Sequence, residues 1–323
     1  MRTPVWVGVD VGGTKILAGV VSEDGAVLRT AGRATPGRLA EVHHLEEALT
    51  GAVLEAADGA PLAAVGLAAA GFVDSSGDRV MFAPHLPWRD EPVRTRLSER
   101  WSAPVFLDND ANCAAVAERE HGAARGASSV LMVTLGTGIG GALLVRDTLV
   151  RGAGGMAGEF GHMRVVPGGL TCECGGRGCW EQYCSGNALL RAARASLTEG
   201  PTLLTELCGG DPDRLTGPMV GVAAGAGDRS AIAAFTTVGE WLGAGLANLT
   251  AAFDPARVVV GGGLAVAGEH FLGPARDALA SSLVGAGHRD LPPIVVAALG
   301  PAAGLVGAAV QARRQVEGTD AGG

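Results

Sequence analysis

Apolar residues alternate from Val5 to Asp10 as in a buried strand, and a second, more continuously apolar run follows from Ile16 to Val21. Such runs belong to strands, and the intervening Val11-Gly12-Gly13-Thr14-Lys15 predicts a glycine turn between two of them. The pattern returns at Met132–Leu143, where Leu135-Gly136-Thr137-Gly138-Ile139-Gly140-Gly141 overlays the first hairpin at an offset of 124, with Gly136 on Gly12 and Gly138 on Thr14. Shorter apolar runs predict strands at 63–67, 105–107, 257–260 and 294–298. Helical recurrence marks 41–58, 111–121 stopped by Gly122, 230–249 and a closing helix over 302–315 that packs back across the first domain.

Two hairpins of one design, each opening a domain, predict an α/β protein with a duplicated, ribonuclease-H-like fold that grips a nucleotide's phosphates in the interdomain cleft. A chain of 323 residues exceeds the usual single-core limit and is long enough for two domains. The expected division is a smaller α/β domain of residues 1–112 plus 302–323 and a larger one of 113–301. The last six residues, 318–323, read as a disordered tail.

Charge narrows the partners. A net charge of −8 with scattered Lys and Arg argues against nucleic acid and anionic membrane surfaces. No export signal opens the chain, and no apolar run reaches the roughly 18 residues of a membrane helix. A cytoplasmic protein acting on small molecules is expected. In a reducing compartment six cysteines are metal ligands and core thiols rather than disulfides, and Cys172, Cys174 and Cys179 are the clustered ones.

His162 with Cys172, Cys174 and Cys179 makes a donor set suited to a four-coordinate structural zinc. Closing that site would bring Glu159 and Glu181, twenty-two positions apart, into one polar pocket. Glycine turns at Gly12–Gly13 and Gly136–Gly138 offer backbone N–H groups to phosphate, with Thr14, Lys15 and Thr137 adding side-chain donors and Asp10 holding Mg²⁺ through water. An ordinary hairpin is the competing reading. Gly71 lies in a loop at a strand's carboxyl end, where a substrate can approach. Asp110 follows another strand end and reads either as a general base or as a helix N-cap. Gly261-Gly262-Gly263 fits an adenosine platform or a plain strand-to-helix turn.

Taken together, Asp10-x-Gly-Gly-Thr-Lys15, Leu135-Gly-Thr-Gly-Ile-Gly-Gly141 with Arg151-Gly152 behind it, Glu159-Phe-Gly-His162, Cys172-x-Cys-Gly-Gly-x-Gly-Cys-Trp-Glu181 and Gly261-Gly-Gly263 resemble the ROK family (repressors, open reading frames, kinases) over nearly the whole chain. The resemblance implies an actin-like, hexokinase-type two-domain fold, ATP with Mg²⁺, structural Zn²⁺ and phosphoryl transfer to the 6-hydroxyl of glucose. It assigns Asp110 as catalytic base, Asn109 as a sugar contact, and Glu159, His162 and Glu181 as ligands of sugar hydroxyls, with His162 also on zinc. Thr14, Lys15, Thr137 and Gly138 would serve the phosphates, and Gly262 and Gly263 the adenosine. Family habit implies a homo-oligomer, dimer or tetramer. A kinase for mannose, N-acetylmannosamine or fructose remains the alternative. The repressor branch carries a DNA-binding segment before the first glycine turn, whereas seven residues precede Gly8 here. Where the family often has Pro-Gly, this chain has Ala70-Gly71-Phe72.

Overall fold

A computed structural model describes residues 2–197, 200 and 202–320. These fall into two compact units, one of residues 2–132, 142–158 and 297–320, the other of 133–141 and 159–296 less the undescribed positions.

The chain opens with β1 (Val5–Val11), β2 (Lys15–Val21) and β3 (Val27–Ala34), then α1 (Val42–Ala57) and β4 (Leu62–Ala69). Three short strands follow, β5 (Phe72–Val73), β6 (Val80–Phe82) and β7 (Arg89–Glu91), then α2 (Val93–Trp101), β8 (Val105–Asn109) and α3 (Asp110–Glu120). Next come β9 (Ser129–Leu135), β10 (Ile139–Val145) and β11 (Thr148–Leu149). Helices α4 (Gly186–Ser196), α5 (Leu203–Leu207), α6 (Gly217–Gly225) and α7 (Arg229–Phe253) precede β12 (Arg257–Gly261), α8 (Glu269–Ser282), β13 (Ile294–Val296) and α9 (Ala303–Asp320).

The first sheet has the order β3-β2-β1-β4-β8, and the second β11-β10-β9-β12-β13. Each has a three-strand run continued by two later strands, which is the predicted duplication expressed as topology. In the first sheet β1 pairs antiparallel with β2 and parallel with β4. Val7, Val9 and Val11 on β1 are fully buried in one core with Leu45 and Leu49 of α1, so the period-2 signal marks the face that α1 covers.

The opposite face explains three glycines. Gly19, Gly8 and Gly66 are direct partners across β2, β1 and β4, and α9 lies on them. A Cβ at Gly8 would overlap the Leu305 carbonyl oxygen, and one at Gly66 the Ala308 carbonyl oxygen. Gly307 on α9 meets the Cys113 carbonyl of α3 in the same way. Side-chain absence on both surfaces is what lets backbone approach backbone. The predicted return of the closing helix onto the first domain is thereby observed, although α9 runs on to Asp320, so residues 318–320 of the expected tail are helical and 321–323 lie outside the described residues.

In the second unit α7 is capped by Asp228, whose carboxylate accepts from Ala231 N at 3.0 Å. Its Gly239 and Gly243 admit the backbone of α8 at Phe271 and Ala275, and Gly245 admits the indole of Trp180. Among the described residues no helix is long and apolar enough to cross a membrane.

Candidate active site

On the first unit, the β1–β2 turn is closed by Gly12 N donating to Lys15 O at 3.0 Å. Thr35, just beyond β3, pins it twice: its hydroxyl donates to Gly12 O at 2.7 Å and its N–H to Thr14 O at 3.1 Å. The β9–β10 turn is a residue tighter, with Gly136 N donating to Gly138 O at 3.0 Å. Lys15 is exposed, and its stem runs over Gly32 of β3.

Asp10, the penultimate residue of β1, lies beside the amino end of α9, 3.6 Å from where a Cβ of Gly304 would stand. Burial, and then the neighbouring negative charge of Asp110, raise its pKa to about 6. A carboxyl with a folded pKa above its unfolded value near 3.8 binds more protons folded than unfolded. Its contribution to stability is therefore full below about pH 4 and lost as pH rises through about 6. Asp10→Asn is expected to add up to about 3 kcal/mol at pH 8, from about 1.36 kcal/mol per unit of pKa, and almost nothing at pH 4. Urea unfolding of both proteins at the two pH values checks this, and equal stability at pH 8 would remove the strain assigned to Asp10.

Asp110 opens α3, but the cap is Asn109: its Oδ1 accepts from Ala111 N at 2.9 Å and Asn112 N at 3.2 Å. This settles one alternative, since Asp110 is the first helical residue rather than the N-cap. Its carboxylate accepts from Ala111 N at 2.9 Å, the residue is half-buried, and desolvation raises its pKa. No cation pairs with it among the described residues. Asn109 Nδ2 donates to Gly71 O at 3.2 Å, so the Gly71 loop is tied to the start of α3.

Sequence reasoning missed Asp108, which organises this corner. Its Oδ2 accepts from Arg151 Nε at 2.9 Å, from Arg151 Nη2 at 2.7 Å and from Gln311 Nε2 at 3.3 Å. Oδ1 accepts from Asn112 Nδ2 and Asn109 N, both at 2.8 Å. A buried carboxylate so fully partnered fixes the strand end that presents Asn109 and Asp110. The signal was available as Arg151-Gly152 among the motif residues, but an Arg 43 positions away names no partner.

On the second unit, Leu135, Gly136, Thr137 and Gly263 line a cavity of about 870 Å³ together with Asn187 and Leu190 of α4 and His270 of α8. That volume suits a nucleoside-sized ligand. Gly262 has a positive φ of 85° and is packed against the Leu135 backbone, which brings the two glycine segments together.

The ligand atoms of His162, Cys172, Cys174 and Cys179 all lie within 4.8 Å of one another. Cys174 Sγ is 3.6 Å from Cys179 Sγ, and Cys172 Sγ is 3.7 Å from His162 Nδ1. Thiolates at about 2.3 Å on a tetrahedral ion stand about 3.7 Å apart, so the four residues fit structural zinc in donor type and spacing. Glu181 accepts from Cys172 Sγ at 3.0 Å and lies 3.5 Å from His162 Nδ1, while Glu159 lies 3.9 Å from His162 Nε2. The loop thus gathers both carboxylates around His162, as the spacing predicted. A Cβ at Gly138 would overlap Glu181, so the glycine turn and the cysteine loop are in contact. Trp180, fully buried against Gly245 and donating Nε1–H to Trp241 O at 2.7 Å, anchors that loop to α7.

The ROK family model matches residues 6–315. A glucokinase of Streptomyces coelicolor is 44% identical over 314 residues, 95% of this chain and 97% of the relative. A glucokinase of Thermotoga maritima is 34% identical over 320 residues, 97% and 98% of the two chains. Among solved structures, a ROK family glucokinase from Streptomyces griseus in complex with glucose and AMPPNP superposes with a TM-score of 0.86 at 44% identity, covering 96% of this chain and 99% of the other. The fold is accordingly the two-domain, actin-like sugar-kinase fold. A match of this length leaves no residue of the site described above outside it, and the chain belongs to the ROK family.

Proposed function

We propose that this chain is an ATP-dependent glucokinase that transfers the γ-phosphoryl group to the 6-hydroxyl of glucose, with Asp110 as general base. Its full-length likeness to glucokinases at up to 44% identity supports the substrate and the donor. The observation that carries the mechanism is the Asp110 carboxylate, half-buried, its pKa raised by desolvation, oriented by the Asn109 cap and paired with no cation among the described residues. Phosphoryl transfer asks little covalent chemistry of a protein and much positioning. On the first unit, Asp110 accepts the proton of the attacking hydroxyl, Asn109 and Gly71 hold the sugar edge, and Gly12, Gly13, Thr14 and Lys15 hold phosphate. On the second, Glu159, His162 and Glu181 take sugar hydroxyls, Gly136, Thr137 and Gly138 take phosphate, and Gly262 and Gly263 take adenosine. Asp10 would hold Mg²⁺, which supplies charge neutralisation on the transferring group when bound. His162 would present one ring nitrogen to zinc and leave the other for the sugar, as its two-sided surroundings support.

Acidic balance supports a protein without nucleic-acid or membrane partners, and the family supports a cytoplasmic homo-oligomer, dimer or tetramer. The test is a coupled assay with ATP on glucose, mannose, N-acetylmannosamine and fructose. Glucose is expected to give the largest kcat/KM by at least about tenfold, a difference of about 1.4 kcal/mol in transition-state binding. A larger value for any other sugar would overturn the substrate assignment.

A further inference from the structure

One exposed side chain beside the first glycine turn has no place in the mechanism above. His85 stands over Gly13: a Cβ built there would lie 2.6 Å from the Cβ of His85 and 3.3 Å from its Cγ. The imidazole is exposed and makes no hydrogen bond or ion pair among the described residues. Its backbone is nevertheless rigid. Leu86 and Trp88 beside it are fully buried, and Arg89 Nη1 donates to Ala83 O at 2.6 Å, Leu86 O at 2.8 Å and Trp88 O at 2.6 Å. The Arg89 guanidinium is itself set 4.5 Å above the Phe82 ring. The same loop reaches Gly71, where a Cβ would lie 2.8 Å from the Cβ of Ala83. A locked loop therefore joins the segment assigned to the sugar with the turn assigned to phosphate, and it presents a free imidazole at the phosphate end.

We propose that His85 is a phosphate-binding residue of this kinase, donating a ring N–H to an oxygen of the transferring phosphoryl group held at Gly12–Gly13. This rests on the glucokinase reading and deepens it. Imidazole carries an N–H in either neutral tautomer, so the contact needs no change of protonation, and a donor to an anionic oxygen forms a strong hydrogen bond. Because Arg89 and the buried Leu86 and Trp88 already fix the loop, little ordering is left to oppose the contact.

The experiment compares wild type, His85→Ala and His85→Gln in steady-state kinetics with ATP and glucose varied separately. His85→Ala is expected to lower kcat/KM for ATP about 10- to 100-fold, the size of a lost hydrogen bond to a charged group, with KM for glucose within about twofold. His85→Gln keeps an N–H donor at similar reach and is expected to recover at least about half of that loss on a logarithmic scale. A role limited to covering Gly13 predicts otherwise: both variants equally impaired, or ATP and glucose parameters falling together, and either result overturns the proposal. So does a His85→Ala enzyme that matches an active wild type, which would leave the glucokinase reading standing. A wild-type chain that phosphorylates no sugar would overturn that reading and this inference with it.

Discussion

Asp110→Asn is expected to lower kcat by about 10²–10⁴-fold, the range attributed to a well-placed general base, while glucose affinity changes by no more than a few-fold. The amide keeps an acceptor for Ala111 N and the size of the side chain, and Asn109 keeps the helix cap, so the local geometry survives. What disappears is basicity. Losing kcat without ground-state affinity is the signature of an interaction made in the transition state. Calorimetry of glucose binding beside a coupled assay separates the two, and more than about a tenth of wild-type kcat would remove Asp110 from the role. The substitution also removes the second cause of the raised Asp10 pKa, leaving burial as the first. The acid limb of Asp10 titration should shift downward in the variant.

Much of this arrangement was legible in the chain because it is written in repeating positions. β1, β2, β9 and β10 are seven residues each, long enough for a period of two to show, and their shared glycine turns disclosed the duplication. The sheet β5-β6-β7 was not foreseen, since strands of two or three residues contain too few positions for a period. Its turn is instead organised by Asp74, whose Oδ1 accepts from Asp78 N and Arg79 N at 2.9 Å. The cysteine loop was readable because thiols and imidazole advertise a ligand set by type. Asp108 was not, for its importance lies in Arg151 and Gln311, which only the folded chain brings to it. The glycines of the two turns read as motifs, whereas Gly8, Gly19 and Gly66 seat α9, a tertiary cause that a single strand does not display.

Removing zinc is expected to free the loop from 164 to 179 while α7 and α8 stay folded. Among the described residues this loop has no α-helix or extended strand of its own, only the isolated pairings Arg164 with Cys179 and Thr171 with Arg177 and local turn hydrogen bonds such as Val165 N to Gly178 O at 2.9 Å and Gly178 N to Leu170 O at 2.7 Å. A structural zinc contributes on the order of 10 kcal/mol of ordering, far more than such pairings offer. Trp180 remains in its slot at Gly245, so the disorder should stop there. One zinc per chain is expected by elemental analysis, and chelation or Cys172→Ser should expose Arg164 and Arg177 to trypsin. Unchanged resistance after complete zinc loss would show that the loop is held by other means. His162→Cys then isolates the second role of the histidine. Thiolate is as good a ligand, so zinc and trypsin resistance should persist. Cysteine has no second nitrogen, and a sugar hydroxyl left unpaired costs about 1–3 kcal/mol, or roughly 5- to 150-fold in glucose affinity. A zinc-loaded His162→Cys protein that binds glucose as the wild type does would confine His162 to the metal.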